Sequence, residues 1–169
     1  FEDALSDGNG FDVLVDTAEY LGISKKSLSN YVYRDSIPVS LLLELLGSRE
    51  TLLENVSDDV LLGVKRDTTT VDRYFELNEK VATLVGYYTA EGFTREQETS
   101  KGTVHQTTFC GTEQEARDFY VETLREEFGV EPYRENHAKV TVSGRLFHLV
   151  FDEVLDAGSG AREKRMPEN

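Results

Sequence analysis

The chain has 169 residues, with 32 Asp and Glu against 18 Lys and Arg and a formal net charge of −14, a balance that excludes a bare polybasic nucleic-acid tail. At 38% hydrophobic, with 8 Tyr and 9 Phe, it is too apolar for a disordered acidic polymer and long enough to bury one core or two small ones. A single Cys110 excludes an internal disulfide, and the three scattered His show no Cys/His spacing for a structural zinc.

Along the chain, Leu14, Val15, Ala18 and Leu21 recur at helical spacing and Gly22 stops that helix. Ser24 is the expected N-cap of a second helix through Tyr33, and a third follows Pro38 with Leu41, Leu42, Leu45 and Leu46 before Gly47. Pattern changes near Thr68-Thr69-Thr70, so residues 51–70 read as a linker between a helical module, 1–50, and an α+β module, 71–169. The second module is predicted to open with a helix from about Val71 to Glu91. Two alternating stretches, Phe93 to Glu98 and Thr103 to Phe109, then form a hairpin. Thr112-Glu113-Gln114-Glu115 has the form of a capping box, and Ala116, Phe119, Tyr120 and Leu124 give an apolar stripe up to Gly129. A second hairpin is expected over Val130 to Arg134 and Lys139 to Val142. A last helix carries Leu146, Phe147, Val150, Phe151, Val154 and Leu155, giving the order αββαββα and an α+β fold class.

Ala18, Gly22, Ile23, Ser24 and Leu28 have the spacing of a helix-turn-helix: a small residue where helices cross, a glycine for positive φ, and apolar side chains beneath the second helix. This leaves Lys25, Lys26, Ser27, Ser29 and Asn30 on the part of the helix that would enter a major groove, with Arg34 at its end. The window from Tyr20 to Arg34 holds three basic residues and no acid. The segment Tyr31-Val32-Tyr33-Arg34-Asp35-Ser36-Ile37-Pro38 followed by Leu41, Leu42 and Leu43 resembles the Cro-like phage-repressor class, over about Asp12 to Leu46. Packing alone is the bland alternative for three such helices.

Gly86 and Ala90 lie four apart on one helical face, which lets two such helices approach closely. Glu91 follows at the C-terminal end, where the helix dipole disfavours an acid; it is either a solvated glutamate or a candidate divalent-cation ligand. The nine residues Leu84-Val85-Gly86-Tyr87-Tyr88-Thr89-Ala90-Glu91-Gly92 resemble the signature of the LAGLIDADG homing endonucleases, in the form found in archaeal inteins. The stretch from Gly158 to Pro167 is similar to the segment that precedes a second motif helix in such proteins.

That resemblance implies a core unit with the αββαββ order already read, with Leu84, Gly86, Tyr87 and Ala90 at a helix-helix interface. It also implies that Glu91 holds a catalytic Mg²⁺ for phosphodiester hydrolysis of double-stranded DNA. The two hairpins would form a saddle over the duplex, making Arg95, Gln97, Gln106, Thr108, Arg134, Lys139 and Thr141 candidate DNA contacts. Only one motif helix is present, so the site requires a second LAGLIDADG half, either beyond residue 169 or in a homodimer. The expectation is an excised intein piece, inactive alone. The alternative is a sequence-specific DNA-binding protein that cuts nothing.

His105, His137 and His148 are far apart in sequence and read as structural or solvent-facing, Cys110 as a small buried hydrophobe, and Asp58-Asp59 and Glu126-Glu127 as solvated faces. No glycine-rich phosphate loop or nucleophile elbow is present. No apolar run approaches the roughly 20 residues that span a bilayer, so a cytoplasmic protein with no membrane partner is expected. With 11 Arg and 7 Lys among dispersed acids, the composition suits a high-salt cytoplasm and equally an acidic mesophilic protein.

Overall fold

The computed structural model describes residues 10–65, 67, 69–100 and 102–158. The chain divides between Ser57 and Asp58 into two compact units, and its class is α+β.

Among the described residues the first unit holds four helices, α1 (Gly10–Tyr20), α2 (Lys25–Tyr33), α3 (Val39–Leu46) and α4 (Arg49–Asn55). Gly22 sits at φ 62° between α1 and α2, a left-handed turn that a Cβ would strain. The Ile23 N–H returns to the Ala18 carbonyl at 3.0 Å. Ser24 caps α2, its Oγ accepting the Ser27 N–H at 3.1 Å, as its position before Lys25 predicts. Ala18, Leu21 and Leu28 are buried, while Ile23 and the leucines of α3 are half-buried. The residues expected to link two modules are partly helical: Ser48 Oγ accepts the Thr51 N–H at 3.1 Å and starts α4.

The second unit begins with a short hairpin, β1 (Leu61–Gly63) against β2 (Thr70–Asp72). Two further residues of the expected linker are tied down: Asp67 Oδ2 accepts the Arg145 N–H at 2.6 Å, and Thr69 Oγ1 donates to the Ser143 carbonyl. Thr68 lies outside the described residues. Val71, predicted to open a long helix, is instead buried in β2 opposite Leu62. The helix α5 spans Glu79–Glu91. It starts where Asn78 Oδ1 accepts the Val81 N–H at 3.0 Å, since the Asn side chain replaces the carbonyl acceptor that a preceding helical turn would otherwise provide.

Then come β3 (Phe93–Thr99), β4 (Gly102–Cys110), α6 (Gln114–Phe128), β5 (Tyr133–Asn136), β6 (Lys139–Ser143) and α7 (Arg145–Leu149), which widens into a π-helical turn over Val150–Val154. From α5 onward the order is αββαββα, and the four strands form one antiparallel sheet in the order β3-β4-β6-β5. The Thr112 capping box does not form. Glu113 is the N-cap and makes no side-chain capping bond, while Arg117 Nη1 reaches back to the carbonyls of Gly111 and Thr112 at 3.1 and 2.5 Å. Gly129 ends α6 at φ 63°, and the strand after it starts at Tyr133 because Val130 is drawn into the core.

Phe109, Val140 and Val142 project from one sheet face onto Val81, Leu84, Val85 and Tyr88 of α5 and Tyr120, Leu124 and Phe128 of α6. Phe109 meets the rings of Tyr88, Tyr120 and Phe151 at centroid distances of 5.9, 5.7 and 5.4 Å, the separations favoured by offset and edge-to-face pairs.

Candidate functional site

Helix α5 separates its two faces by residue size. Val81, Leu84, Val85 and Tyr88 form the stripe that enters the core. Thr83, Gly86, Tyr87 and Ala90 form the other stripe and line a shallow depression of about 430 Å³. Leu84, expected at the helix-helix interface, is fully buried and belongs to the core; its spacing from Val81, Val85 and Tyr88 puts it on the sheet side. A Cβ added at Gly86 would meet nothing within 4 Å. The backbone of α5 is therefore bare there.

Glu91 is exposed at the last position of this helix. The turn after it is tight: the Gly92 N–H donates to the Tyr88 carbonyl at 2.7 Å, and a Cβ at Gly92 would lie 2.8 Å from Tyr88 Cα and 2.8 Å from its carbonyl oxygen. Only glycine lets α5 pass directly into β3. Burial pushes the Tyr120 hydroxyl up to about 12, with the fields of Tyr87 and, more weakly, Glu91 adding to it. Among the described residues Glu91 shares no cluster of three metal-ligating side chains. It supplies one carboxylate, which fits half of a two-acid cation site.

Strand register decides which sheet residues share the face turned away from the core. Phe93 pairs with Thr108, Arg95 with Gln106, Thr108 with Thr141 and Gln106 with Ser143. These residues, with Gln97, Lys139 and Tyr133, therefore lie opposite the Phe109 face. Arg95 Nε donates to Gln106 Oε1 at 2.5 Å, and Gln106 Nε2 donates to the Tyr133 hydroxyl at 2.6 Å. The Arg95 guanidinium also lies 3.7 Å from Glu135, and Lys139 Nζ sits 5.4 Å from the Phe93 ring centroid.

Four expected contacts are not available on this face. Gln106 is buried, its amide donating to Tyr133 and Ser143 and accepting from Arg95. Thr108 and Thr141 are fully buried with their hydroxyls 3.0 Å apart, since cross-strand neighbours in a narrow pair can satisfy one another. Arg134 pairs in register with Val140 on the core side, and its guanidinium is bonded to Asp118 of α6. Alternation along β5 places Glu135, like Tyr133, on the Arg95 face and Arg134 on the other. Gln97 and Lys139 are exposed and half-exposed.

In the first unit, Lys26, Asn30 and Arg34 are exposed, and Lys25, Ser27 and Ser29 are half-buried. Ser27 is occupied by the cap, its hydroxyl 2.9 Å from that of Ser24. A group that the residue spacing does not reveal is Glu96, His105 and His148. The β3–β4 register sets Glu96 beside His105, and α7 brings His148 over them, with imidazole centroids 5.4 Å apart. No sequence signal joins β4 to α7 across the long stretch of chain between them.

The chain matches no protein-family profile. It is similar to the DNA polymerase II large subunit of Thermococcus kodakarensis, with 41% identity over 139 residues, which are 82% of this chain and 7% of the relative. It is also similar to the DNA polymerase II large subunit of Haloquadratum walsbyi, with 28% identity over 175 residues, 99% of this chain and 8% of the relative. An uncharacterized protein of Methanocaldococcus jannaschii aligns at 22% identity over 79% of this chain and 14% of its own length. The relatives are archaeal, and the chain spans less than a tenth of the two polymerase subunits. No helix is long and apolar enough to cross a membrane, among the described residues.

Proposed function

We propose that this chain is the DNA-recognising half of an intein homing endonuclease carried within an archaeal polymerase subunit. In this reading the second unit supplies one of two LAGLIDADG halves, and the helical unit adds contacts to the site through Lys25, Lys26, Asn30 and Arg34. The observation that carries the proposal is the division of α5: a core stripe on one side, a solvent-facing stripe of Gly86, Tyr87 and Ala90 along a shallow depression on the other, and Glu91 exposed at the end that enters the sheet. A second motif helix laid on that stripe would cover the apolar surface and bring a second carboxylate beside Glu91. Match to only 7% and 8% of the polymerase subunits agrees with a segment inserted in a longer chain.

Glu91 and its counterpart would hold Mg²⁺, which when bound supplies polarisation of the scissile phosphate and activation of water. The residues of this chain position the duplex: Arg95, Gln97 and Lys139 offer donors along the sheet face, and α2 offers its cations to backbone phosphates. Cutting requires the second acid, and the single carboxylate favours binding without cleavage by these 169 residues.

The test is a salt-dependent binding titration with a random-sequence duplex pool, followed by cleavage with Mg²⁺ in a form joined to a second motif helix. Lys25→Ala with Lys26→Ala should weaken binding and flatten its salt dependence by about one unit for each phosphate that the lysines no longer neutralise. Glu91→Gln should abolish cutting and leave affinity nearly unchanged. Affinity that is absent even at low salt would overturn the DNA reading, and equal cleavage by Glu91→Gln would overturn the role of Glu91. Light scattering separates the two routes to a second half: a dimer that cuts would make the chain a homodimeric enzyme.

A further inference from the structure

We infer that Glu96, His105 and His148 form a zinc site that clips α7 to the β3–β4 hairpin, apart from the Glu91 site and on the opposite side of the sheet from the donors proposed to meet DNA. The backbone builds it. Glu96 and His105 are cross-strand partners on the core side, just where the apolar row through Phe109 and Thr107 ends. The Gly144 N–H donates to the His105 carbonyl at 3.0 Å, and the His148 N–H donates to the Gly144 carbonyl at 3.0 Å. One turn of α7 is thereby hung from His105, and His148 falls over the Glu96 and His105 pair.

The donor atoms converge. His105 Nδ1 lies 3.0 Å and His148 Nε2 3.6 Å from Glu96 Oε1, and the three ligand atoms are all within 4.8 Å of one another. A tetrahedral zinc with bonds of about 2.0–2.1 Å holds its ligands about 3.4 Å apart, so small side-chain rotations close the set. One proposed ligand atom, His105 Nδ1, also lacks a hydrogen bond. The His148 side chain is 6% exposed, its Nδ1 makes no hydrogen bond and neither does the buried His105 Nδ1, near as it is to Glu96. The His148 Nε2 is beyond hydrogen-bond reach of Glu96. The unpartnered His105 Nδ1 is itself the nitrogen that faces Glu96, and a metal bound there offsets the cost of leaving it without a hydrogen bond, while His148 would bind through Nε2.

Two imidazole nitrogens and one carboxylate oxygen suit a first-row transition ion and not Mg²⁺, which takes oxygen ligands. The Glu96 side chain is 59% exposed, so water reaches the fourth position. Because hairpin and helix meet only in the folded unit, zinc bound there stabilises it.

The 169-residue chain, stripped with a chelator, is titrated with zinc chloride by calorimetry. One equivalent should bind, and Co²⁺ in its place should give the visible bands of a low-symmetry tetrahedral site. With free zinc at about 100 times its Kd, the folded-to-unfolded ratio should rise about 100-fold. Glu96→Gln, at an exposed side chain that leaves the core intact, should weaken zinc by at least about tenfold, and His105→Ala should do the same even if His148→Ala fails to fold. Mg²⁺ should not compete. No zinc uptake by the unaltered chain, or uptake unchanged in Glu96→Gln, overturns the site without touching the DNA reading, which is read out by duplex and Mg²⁺.

Discussion

The helical unit and the α+β unit solve the problem of burial differently. In the first, Ala18, Leu21 and Leu28 are the buried hydrophobic residues among those described, and α3 and α4 have none. In the second, Tyr88, Phe109, Tyr120, Phe128, Phe147 and Phe151 are all fully buried or nearly so in one connected cluster. A short amphipathic helix can bury only a narrow stripe, whereas a sheet under two helices encloses a layer. The consequence is a division of labour: α5 is held rigidly enough to present Glu91 at a defined place, while the small unit depends on caps and turns for its geometry.

The largest expected effect is therefore in the dense core. Phe109→Ala removes a fully buried ring that packs on Tyr88, Tyr120 and Phe151 and should destabilise the second unit by about 3–5 kcal/mol, measured by denaturant unfolding. A drop in stability under about 1 kcal/mol would show that the aromatic layer is not what sets this unit apart. A smaller effect is expected at high pH. Tyr120 is held up to about 12 by burial, above the usual value of about 10 for a free tyrosine, so folding favours its neutral form. The stability that this contributes is fully present below about pH 10 and is lost as pH rises towards 12. Tyr88 is raised in the same direction by burial. Tyrosinate absorbance should show both ionising late and together with unfolding, and early ionisation of all eight tyrosines would contradict the enclosed core. The smallest effect sharpens the other side of the comparison. Ser24→Ala deletes the cap of α2 and should cost about 1 kcal/mol, visible as faster amide exchange at Ser27 and Leu28. If it costs nothing, the small unit is held by its leucines and not by its turns.

Local chemistry made much of the order legible. Gly22 and Ser24, Pro38 and Gly47, and Gly129 mark helix ends through backbone conformation and caps that a few neighbouring residues decide. The hairpin from Phe93 to Cys110 reads from alternation and a glycine turn. The misplaced start of α5 has the opposite cause. Val71 suits a helix or a strand equally, and its pairing with Leu62 belongs to a hairpin anchored where Asp67 and Thr69 meet Arg145 and Ser143. Contacts between such distant parts of the chain leave no periodic mark.

By itself the sequence determined the α+β class, the αββαββα order from α5 onward and the place of Glu91 at the helix end beside Gly92, because spacing, capping and turn residues act within a few positions of one another. Only the tertiary structure decided that Leu84 serves the core, that Arg134 turns to Asp118, that Thr108 and Thr141 satisfy each other, and that Glu96, His105 and His148 converge. Each of these depends on strand register or the docking of α7, where a shift of one residue moves a side chain to the other face of the sheet.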